Sequence, residues 1–266
     1  MPPSNGNWSD LRARVISGAL MSAIGVGAIW AGGLAFHALG VVCAGVMIWE
    51  LARMMMPDRK GRQIAYALVS AIFISSAAFV APLHALLAFV ALDMFLMLDA
   101  QKMKIWGALY AFGLLIAVYH LILLRLEVGA STIVWIVAVI VTSDILGYFA
   151  GRTFGGPKFW PAVSPKKTWS GTVAGWVGAG IIGAVMVIGL GAPSLILPLS
   201  VLMAFAGQMG DIAESAIKRK AGVKDSSNLI PGHGGLLDRF DALAGASLFL
   251  FFALVLLGYS ASGTAL

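Results

Sequence analysis

The sequence predicts an all-α, polytopic integral membrane protein with about nine transmembrane helices. The 266-residue chain is 60% hydrophobic and only 11% charged, and its mean hydropathy is +0.92. It also contains several apolar runs close to the ~20 residues that a helix needs to cross a bilayer. A soluble protein of this length carries far more charge, roughly 25% of its residues. The short alternating segments typical of a membrane β-barrel do not occur in the sequence.

Hydropathy places the nine spans in order along the chain. The first follows Arg12 and Arg14 and is longer than the apolar segment of a signal peptide, which predicts an uncleaved span. Gly32 and Gly33 separate it from the second span. The predicted spans are 14–31, 33–54, 64–81, 83–99, 105–125, 131–151, 171–190, 194–217 and 238–260.

The distribution of basic residues predicts how the spans are oriented in the membrane. Of the 18 Lys and Arg residues, 17 fall on one side, and only Arg125 falls on the other. Cytoplasmic loops of membrane proteins carry such an excess. We therefore predict a multi-pass protein of a bacterial-type plasma (inner) membrane, with the N-terminus and the active site cytoplasmic and the C-terminus outside. The same bias explains the net charge of +6 without a nucleic-acid partner.

Carboxylates are distributed differently in the two halves of the chain. The few in the first five spans, Glu50 among them, lie near span ends, where we expect interfacial or structural roles. From Asp144 onward carboxylates enter the spans, and ionisable groups inside a membrane are usually functional. We predict an N-terminal transmembrane bundle, residues 1–130, and a C-terminal transmembrane catalytic domain, residues 131–266.

A first group of polar residues, at the end of the eighth span, comprises Gln208, Asp211, Glu214, Ser215 and Lys218. Asp211, Glu214, Ser215 and Lys218 are spaced so that they share one helical face. A face of carboxylates at the end of a span suits a hard cation with oxygen ligands. The alternative is a helix end with internal ion pairs and a lysine that extends toward water.

A glycine-rich turn, 231–235 (Pro-Gly-His-Gly-Gly), precedes the ninth span. Its three glycines permit a sharp turn and a close backbone approach. A helix beginning near Leu236 would point free N–H groups at this turn and so form an anion site. Asp238 and Asp241 are three residues apart, so both can face one cavity. The alternative is an ordinary glycine loop before a helix with a charged cap.

Two adjacent lysines, Lys166 and Lys167, lie between hydroxyl residues in the segment 164–168. Such a pair can neutralise clustered phosphates, or it can simply be a basic loop that sets topology. Asp144, in an apolar span upstream, is either part of the site or a structural buried carboxylate. The letters of 178–183 match GxGxxG, but they lie inside an apolar span, which indicates helix packing.

The spacing of the polar residues between the eighth and ninth spans resembles the signature of phosphatidate cytidylyltransferase, also called CDP-diacylglycerol synthase. The matching positions are Ser215, Lys218, Arg219, Lys224, Asp225, His233, Gly234, Gly235, Asp238, Arg239 and Asp241. Asp144 with Tyr148, and the segment 164–168 with Gly171, also resemble this family. Residues 1–130 match it only as apolar spans, and Gly147 stands where the family usually has alanine.

This resemblance implies transfer of a cytidylyl group from CTP to phosphatidic acid, giving CDP-diacylglycerol and pyrophosphate in phospholipid biosynthesis. It implies Mg²⁺ held by Asp211 and Asp238, and it leaves room for a second cation. The catalytic residues it implies are Asp211, Asp238, Lys218, Arg219, Ser215, Lys224 and Arg239. The substrate-binding residues it implies are Asp144, Ser164, Lys166, Lys167, Thr168, His233, Gly234, Gly235 and Asp241. The partners are CTP, phosphatidic acid and the lipid bilayer, with a homodimer left open.

Two other functions remain as alternatives. A CTP-dependent polyprenol or lipid kinase would transfer the γ-phosphoryl group and release CDP. An ion-coupled membrane transporter would use Asp144, Asp211 and Glu214 inside the membrane. Transporters often repeat paired broken helices in both halves of the chain, whereas these polar residues cluster in one half.

Overall fold

The computed structural model describes residues 6–259, and nine α-helices lie in this part of the chain. Eight of them, all except α3, are long and apolar enough to cross a membrane. The helices are α1 (Gly6–Ala31), α2 (Gly33–Met55), α3 (Lys60–Ala77), α4 (Pro82–Asp99), α5 (Lys104–Glu127), α6 (Ala130–Phe154), α7 (Trp169–Ala184), α8 (Ile196–Ala221) and α9 (Leu237–Leu256). A π-helical turn, Val185–Gly189, continues α7.

Each predicted span coincides with one helix, so the all-α polytopic fold is confirmed. The third predicted span, 64–81, overlaps α3, but this helix already begins at Lys60, and residues 78–81 belong to the turn after it. Because α3 begins at Lys60, it includes Lys60, Arg62 and Gln63, which make the helix less apolar than the predicted span itself. The last predicted span, 238–260, extends too far, since α9 ends at Leu256 and a turn follows it; residue 260 and the C-terminus are outside the described residues.

The predicted break between the first two spans is confirmed at Gly32 and Gly33. Both have positive φ, +62° and +46°, a backbone conformation that glycine adopts at little cost. Arg125 at the end of α5 packs against this break and donates from Nε to the carbonyl of Ile29 at 2.9 Å. A cation at the C-terminal end of α1 also interacts favourably with the helix dipole.

A short antiparallel hairpin between α6 and α7 is the only sheet in the described residues. It pairs β1 (Lys158–Trp160) with β2 (Ser164–Thr168). Thr168 then caps α7, because its Oγ1 accepts from the N–H of Gly171 at 3.3 Å. The hairpin, which the hydropathy pattern did not predict, places Lys166 and Lys167 directly before the first turn of α7.

Two clusters of buried apolar side chains hold the helices together. The first is built mainly from α2, α4 and α5, and it extends to Ile217 of α8 and Leu237 of α9. The second joins α6, α8 and α9 around side chains such as Ile136, Met203 and Ala246. The first cluster therefore reaches the residues next to Lys218 and Asp238. The division of the chain at residue 130 stays a prediction.

Helices α6 and α7 cross at glycines. A Cβ added to Gly171 would lie 2.5 Å from the carbonyl oxygen of Gly147, so the two backbones touch at this point. Further along α7, a Cβ at Gly178 would meet the side chains of Thr142 and Leu146. Small residues allow this close approach in membrane proteins, which supports the helix-packing interpretation of residues 178–183.

Candidate active site

A cavity of about 710 Å³ lies where α6, β2, α7, α8 and α9 meet. Its lining includes four aspartates, namely Asp144, Asp211, Asp238 and Asp241. It also includes four basic side chains, namely Arg152, Lys166, Lys167 and Arg239. The three groups of polar residues found in the sequence therefore meet around one cavity, although they are spread over about 100 residues of the chain.

Asp211 connects α8 to the hairpin. Its Oδ2 accepts from the ammonium group of Lys167 at 2.6 Å, and the same ammonium donates to the carbonyl of Gln208 at 3.2 Å. Ser215, one turn later on α8, lies within 3.4 Å of Oδ1 of Asp211. The sequence predicted both Asp211 and Lys167 as site residues, and the structure brings them into direct contact.

A cluster of three carboxylates lies beside this ion pair. Asp211, Glu214 and Asp241 each offer one oxygen, and the three oxygens lie within 4.8 Å of one another. Glu214 is fully buried, and its Oε1 has no hydrogen-bond partner among the described residues. Like charges this close repel each other, and carboxylate oxygens are the ligands that hard divalent cations prefer. The three residues fit a cation such as Mg²⁺.

Asp238 has different surroundings from Asp211, although both line the cavity. Its Oδ1 accepts from Lys218 Nζ at 2.6 Å, and its Oδ2 accepts from the N–H of Gly235 at 2.8 Å and from Ser226 Oγ at 2.9 Å. Lys218 also donates to Glu214 Oε2 at 2.7 Å. Asp238 therefore joins α8, the loop before α9 and α9 itself. The predicted pairing of Asp211 with Asp238 at a metal stays a prediction.

The turn before α9 has the predicted sharp geometry, with positive φ at Gly232 and Gly234. The prediction of free N–H groups at the start of the helix is wrong. The N–H groups of Leu236 and Leu237 donate to the two carboxylate oxygens of Glu50, at 3.0 and 2.7 Å. The helix start does bind an anion, but that anion comes from α2, 186 residues earlier in the chain.

His233 faces the first helix. Its Nδ1 lies 2.8 Å from Ser17 Oγ, and its carbonyl accepts from Arg239 Nη2 at 2.8 Å. Several predicted site residues are not part of the cavity lining, and their predicted roles stay predictions. These residues are Ser164, Ser215, Lys218, Arg219, Lys224, His233, Gly234 and Gly235.

Some cavity residues were not among the predicted site residues. Arg152 lines the cavity and donates to the hydroxyl of Tyr148 at 2.8 Å. Gln208 lies under the cavity, where its Oε1 accepts from Trp176 Nε1 at 3.0 Å and its Nε2 donates to the carbonyl of Thr172 at 3.3 Å. Its position one turn before Asp211 puts it in the first polar group of the sequence, although it was not predicted as a site residue. Arg152 gave no such signal, because a basic residue at a span end is expected for topology alone.

Comparison with known proteins gives a consistent result. The profile of the cytidylyltransferase family matches residues 12–257. A phosphatidate cytidylyltransferase of Brucella abortus biovar 1 (strain 9-941) is 34% identical over 259 residues, which cover 91% of this chain and 93% of that protein. A phosphatidate cytidylyltransferase of Bacillus subtilis (strain 168) is 40% identical over 133 residues, which cover 49% of each chain. One of Helicobacter pylori (strain J99) is 40% identical over 126 residues, which cover 47% of each chain.

Proposed function

The chain belongs to the cytidylyltransferase family, and on this premise we propose that it transfers the cytidylyl group of CTP to phosphatidic acid. The products are CDP-diacylglycerol and pyrophosphate. The observation that carries the proposal is the similarity to phosphatidate cytidylyltransferases along almost the whole chain. A cavity that combines carboxylates with basic side chains at a membrane helix bundle supports it, because both substrates carry phosphates.

The chemistry requires positioning and charge neutralisation more than proton transfer. A phosphate oxygen of phosphatidate forms a bond to the α-phosphorus of CTP, the bond from that phosphorus to the bridging oxygen breaks, and pyrophosphate leaves. The attacking oxygen is already ionised at neutral pH, so no strong general base is needed. The protein must hold the two substrates in line and offset their negative charge.

The basic residues of the cavity are suited to this task. Lys166, Lys167 and Arg152 approach from the α6–α7 side, and Arg239 approaches from α9. Asp144 and Thr168 line the same space and help to orient the nucleotide or a lysine. The remaining signature residues, Lys218, Arg219 and Lys224 among them, extend the positive charge along α8 and the following loop.

Mg²⁺ fits the acidic cluster, and the buried, unpartnered Oε1 of Glu214 is the observation that supports this fit. Asp211, Glu214 and Asp241 would hold it, and it would neutralise charge on the triphosphate and polarise the reacting phosphoryl group. Asp238 is bound to the ammonium group of Lys218, so it becomes a direct ligand only if a cation replaces that ammonium group. The number of carboxylates around the cavity leaves room for a second cation.

The positions of the basic residues support an orientation in which the cavity faces the cytoplasm of a bacterial-type plasma membrane. Phosphatidic acid then reaches the site sideways from the inner leaflet, while CTP enters from the aqueous side. A lipid headgroup and a soluble nucleotide can meet only at such a boundary. The cavity residues lie in the C-terminal half of α6, in the middle of α8 and at the beginnings of α7 and α9.

The leaving group tests this proposal against the kinase alternative. Purified protein is incubated with CTP, phosphatidate and Mg²⁺, and pyrophosphate and CDP are quantified separately. We expect pyrophosphate in a one-to-one ratio with the lipid product and no CDP. Release of CDP with a phosphorylated lipid would refute the proposal in favour of a kinase. Uptake of a solute into proteoliposomes without CTP turnover would refute it in favour of a transporter.

A further inference from the structure

Glu50 is a fully buried carboxylate of α2, in the N-terminal half of the chain, whose predicted spans contain few ionisable residues. Its Oε1 accepts from Ser227 Oγ at 2.5 Å and from the N–H of Leu236 at 3.0 Å, and its Oε2 accepts from the N–H of Leu237 at 2.7 Å. A buried carboxylate is costly unless hydrogen bonds compensate it. These three donors all come from the loop and the helix start that precede Asp238.

Glu50 accepts hydrogen bonds from both ends of one segment. We call residues 226–237 the clasp segment: Ser227 lies near its beginning, and Leu236 and Leu237 are at its end. Asp238 also binds both ends, since its Oδ2 accepts hydrogen bonds from the N–H of Ser226 and from the N–H of Gly235. One carboxylate from α2 and one from α9 therefore hold the two ends of the clasp segment together.

Gly235 shows how closely the two carboxylates enclose the backbone. A Cβ at this position would overlap Ser226 Oγ and would lie 2.5 Å from Glu50 Oε1. The glycine that sequence reasoning assigned to a ligand is required here by the protein's own side chains. The N-terminal dipole of α9 adds to the attraction between Glu50 and the helix start.

We propose that Glu50 is a positioning residue of the active site, acting on Asp238 through the first turn of α9. Leu237, whose N–H it binds, directly precedes Asp238, and Asp238 in turn holds Lys218 at 2.6 Å. Glu50 thus sets the positions of two signature residues without lining the cavity itself. This inference rests on the proposed function for its kinetic test, although its structural test is independent of activity.

The test compares Glu50→Gln with the unmodified protein. Leu236 and Leu237 donate to different oxygens of Glu50, so in glutamine one of these two oxygens is replaced by an NH₂ group, which then faces an N–H donor. We expect kcat for cytidylyl transfer to fall about 10- to 100-fold, since displacements of about 1 Å have such effects. We expect KM for CTP to change much less, because Glu50 does not contact the cavity.

Amide hydrogen exchange provides the second readout. In Glu50→Gln, peptides covering the clasp segment should exchange at least about tenfold faster, because the N–H groups of Leu236 and Leu237 lose an acceptor. The matched control is Asp93→Asn, which removes another carboxylate from the N-terminal half, one whose Oδ1 has no hydrogen-bond partner among the described residues. This control should retain the kcat and the exchange pattern of the unmodified protein.

Ser227→Ala keeps the inference testable if Glu50→Gln does not insert stably. It removes one donor at the beginning of the clasp segment and leaves Glu50 in place, so we expect a smaller loss of kcat, about 3- to 10-fold. Unchanged kcat and unchanged exchange of the clasp segment in both variants would overturn the inference. If the unmodified protein shows no transfer, the proposed function fails, and exchange alone still decides whether Glu50 holds the segment.

Discussion

Asp211 and Asp238, the two carboxylates that the family resemblance pairs at a metal, differ in what surrounds them. Asp211 belongs to a cluster of three carboxylates and forms an ion pair with Lys167. Asp238 accepts hydrogen bonds from Lys218, Ser226 and the backbone of Gly235. Asp211 is therefore the residue on which the sequence and the geometry agree most directly as a cation ligand.

Loss of the cluster's charge should remove most of the activity. We expect Asp211→Asn and Asp241→Asn each to lower kcat at least about 100-fold, since a bound metal ion contributes several kcal/mol of charge stabilisation in the transition state. The Mg²⁺ concentration that gives half-maximal activity should rise in both variants. A titration of initial rate against Mg²⁺ measures both quantities.

The matched control is Asp58→Asn, because Asp58 is exposed in the turn between α2 and α3. It should behave like the unmodified protein at every Mg²⁺ concentration. Near-normal rates and an unchanged Mg²⁺ requirement in Asp211→Asn would show that the cation lies elsewhere.

We expect Lys167 to bind substrate phosphates and also to form its ion pair with Asp211. Lys167→Ala removes a positive charge that lies 2.6 Å from Asp211 Oδ2, so we expect KM for CTP to rise about tenfold, in line with the loss of one charge-assisted hydrogen bond. Steady-state kinetics with varied CTP measure it. Lys158→Ala, at an exposed position of the same hairpin, is the control. Equal kinetics for both variants would mean that the hairpin lysines serve topology alone.

At the scale of elements, the α6–α7 crossing shows how small residues position the site. Gly147 and Gly171 bring the two backbones into contact, and Thr168, three residues before Gly171, both caps α7 and lines the cavity. Two glycines at a helix crossing therefore set the position of the hairpin lysines relative to Asp144.

Gly171→Ala should separate these helices. The added Cβ would meet the carbonyl of Gly147 at 2.5 Å, and a backbone atom cannot move aside as a flexible side chain can. We expect a loss of roughly 1–3 kcal/mol in stability, measured as a lower unfolding temperature in detergent, together with reduced activity. Gly180→Ala in the same helix is the control, because its Cβ would make an ordinary contact of 3.5 Å with Val201. If both variants unfold at the same temperature, the backbones of α6 and α7 are not in close contact at Gly147 and Gly171.

The elements themselves could largely be predicted from the sequence, since runs of apolar residues locate nine helices to within about four residues of most bounds; the exception is α1, which begins at Gly6 instead of residue 14. The hairpin of Lys158–Trp160 and Ser164–Thr168 could not, because strands of three and five mostly polar residues leave no hydropathy signal. Helical spacing correctly placed Glu214 beside Asp211. It could not show that Asp241 completes their cluster or that Glu50 binds the start of α9, because those contacts depend on tertiary packing.

At the scale of the whole molecule, the two halves of the chain are joined where the chemistry is proposed. The core cluster of α2, α4 and α5 includes Leu237 and Ile217, which directly precede Asp238 and Lys218. Glu50 adds polar contacts at the same junction. The N-terminal half, which the family profile also matches from residue 12 onward, therefore supports the positions of signature residues in the C-terminal half.

Orientation in the membrane is also a property of the whole molecule. We expect Val223→Cys, introduced together with Cys43→Ala, to react with a membrane-impermeant maleimide only from the cytoplasmic side. Val223 is exposed in the loop after α8 and lies among the basic residues, whereas Cys43 is buried. Comparing the labelling of intact cells with that of inverted vesicles shows on which side of the membrane residue 223 lies. Reaction in intact cells would reverse the predicted topology and place the cavity outside.

Transfer of a cytidylyl group to phosphatidate is tested with CTP that is labelled in both the cytidine and the α-phosphate. Purified protein, phosphatidate and Mg²⁺ are incubated with this nucleotide, and both labels are counted in the extracted lipid. We predict that both enter the lipid in equal amounts and that neither does so without phosphatidate. Turnover of CTP that leaves both labels in the aqueous phase would contradict the account.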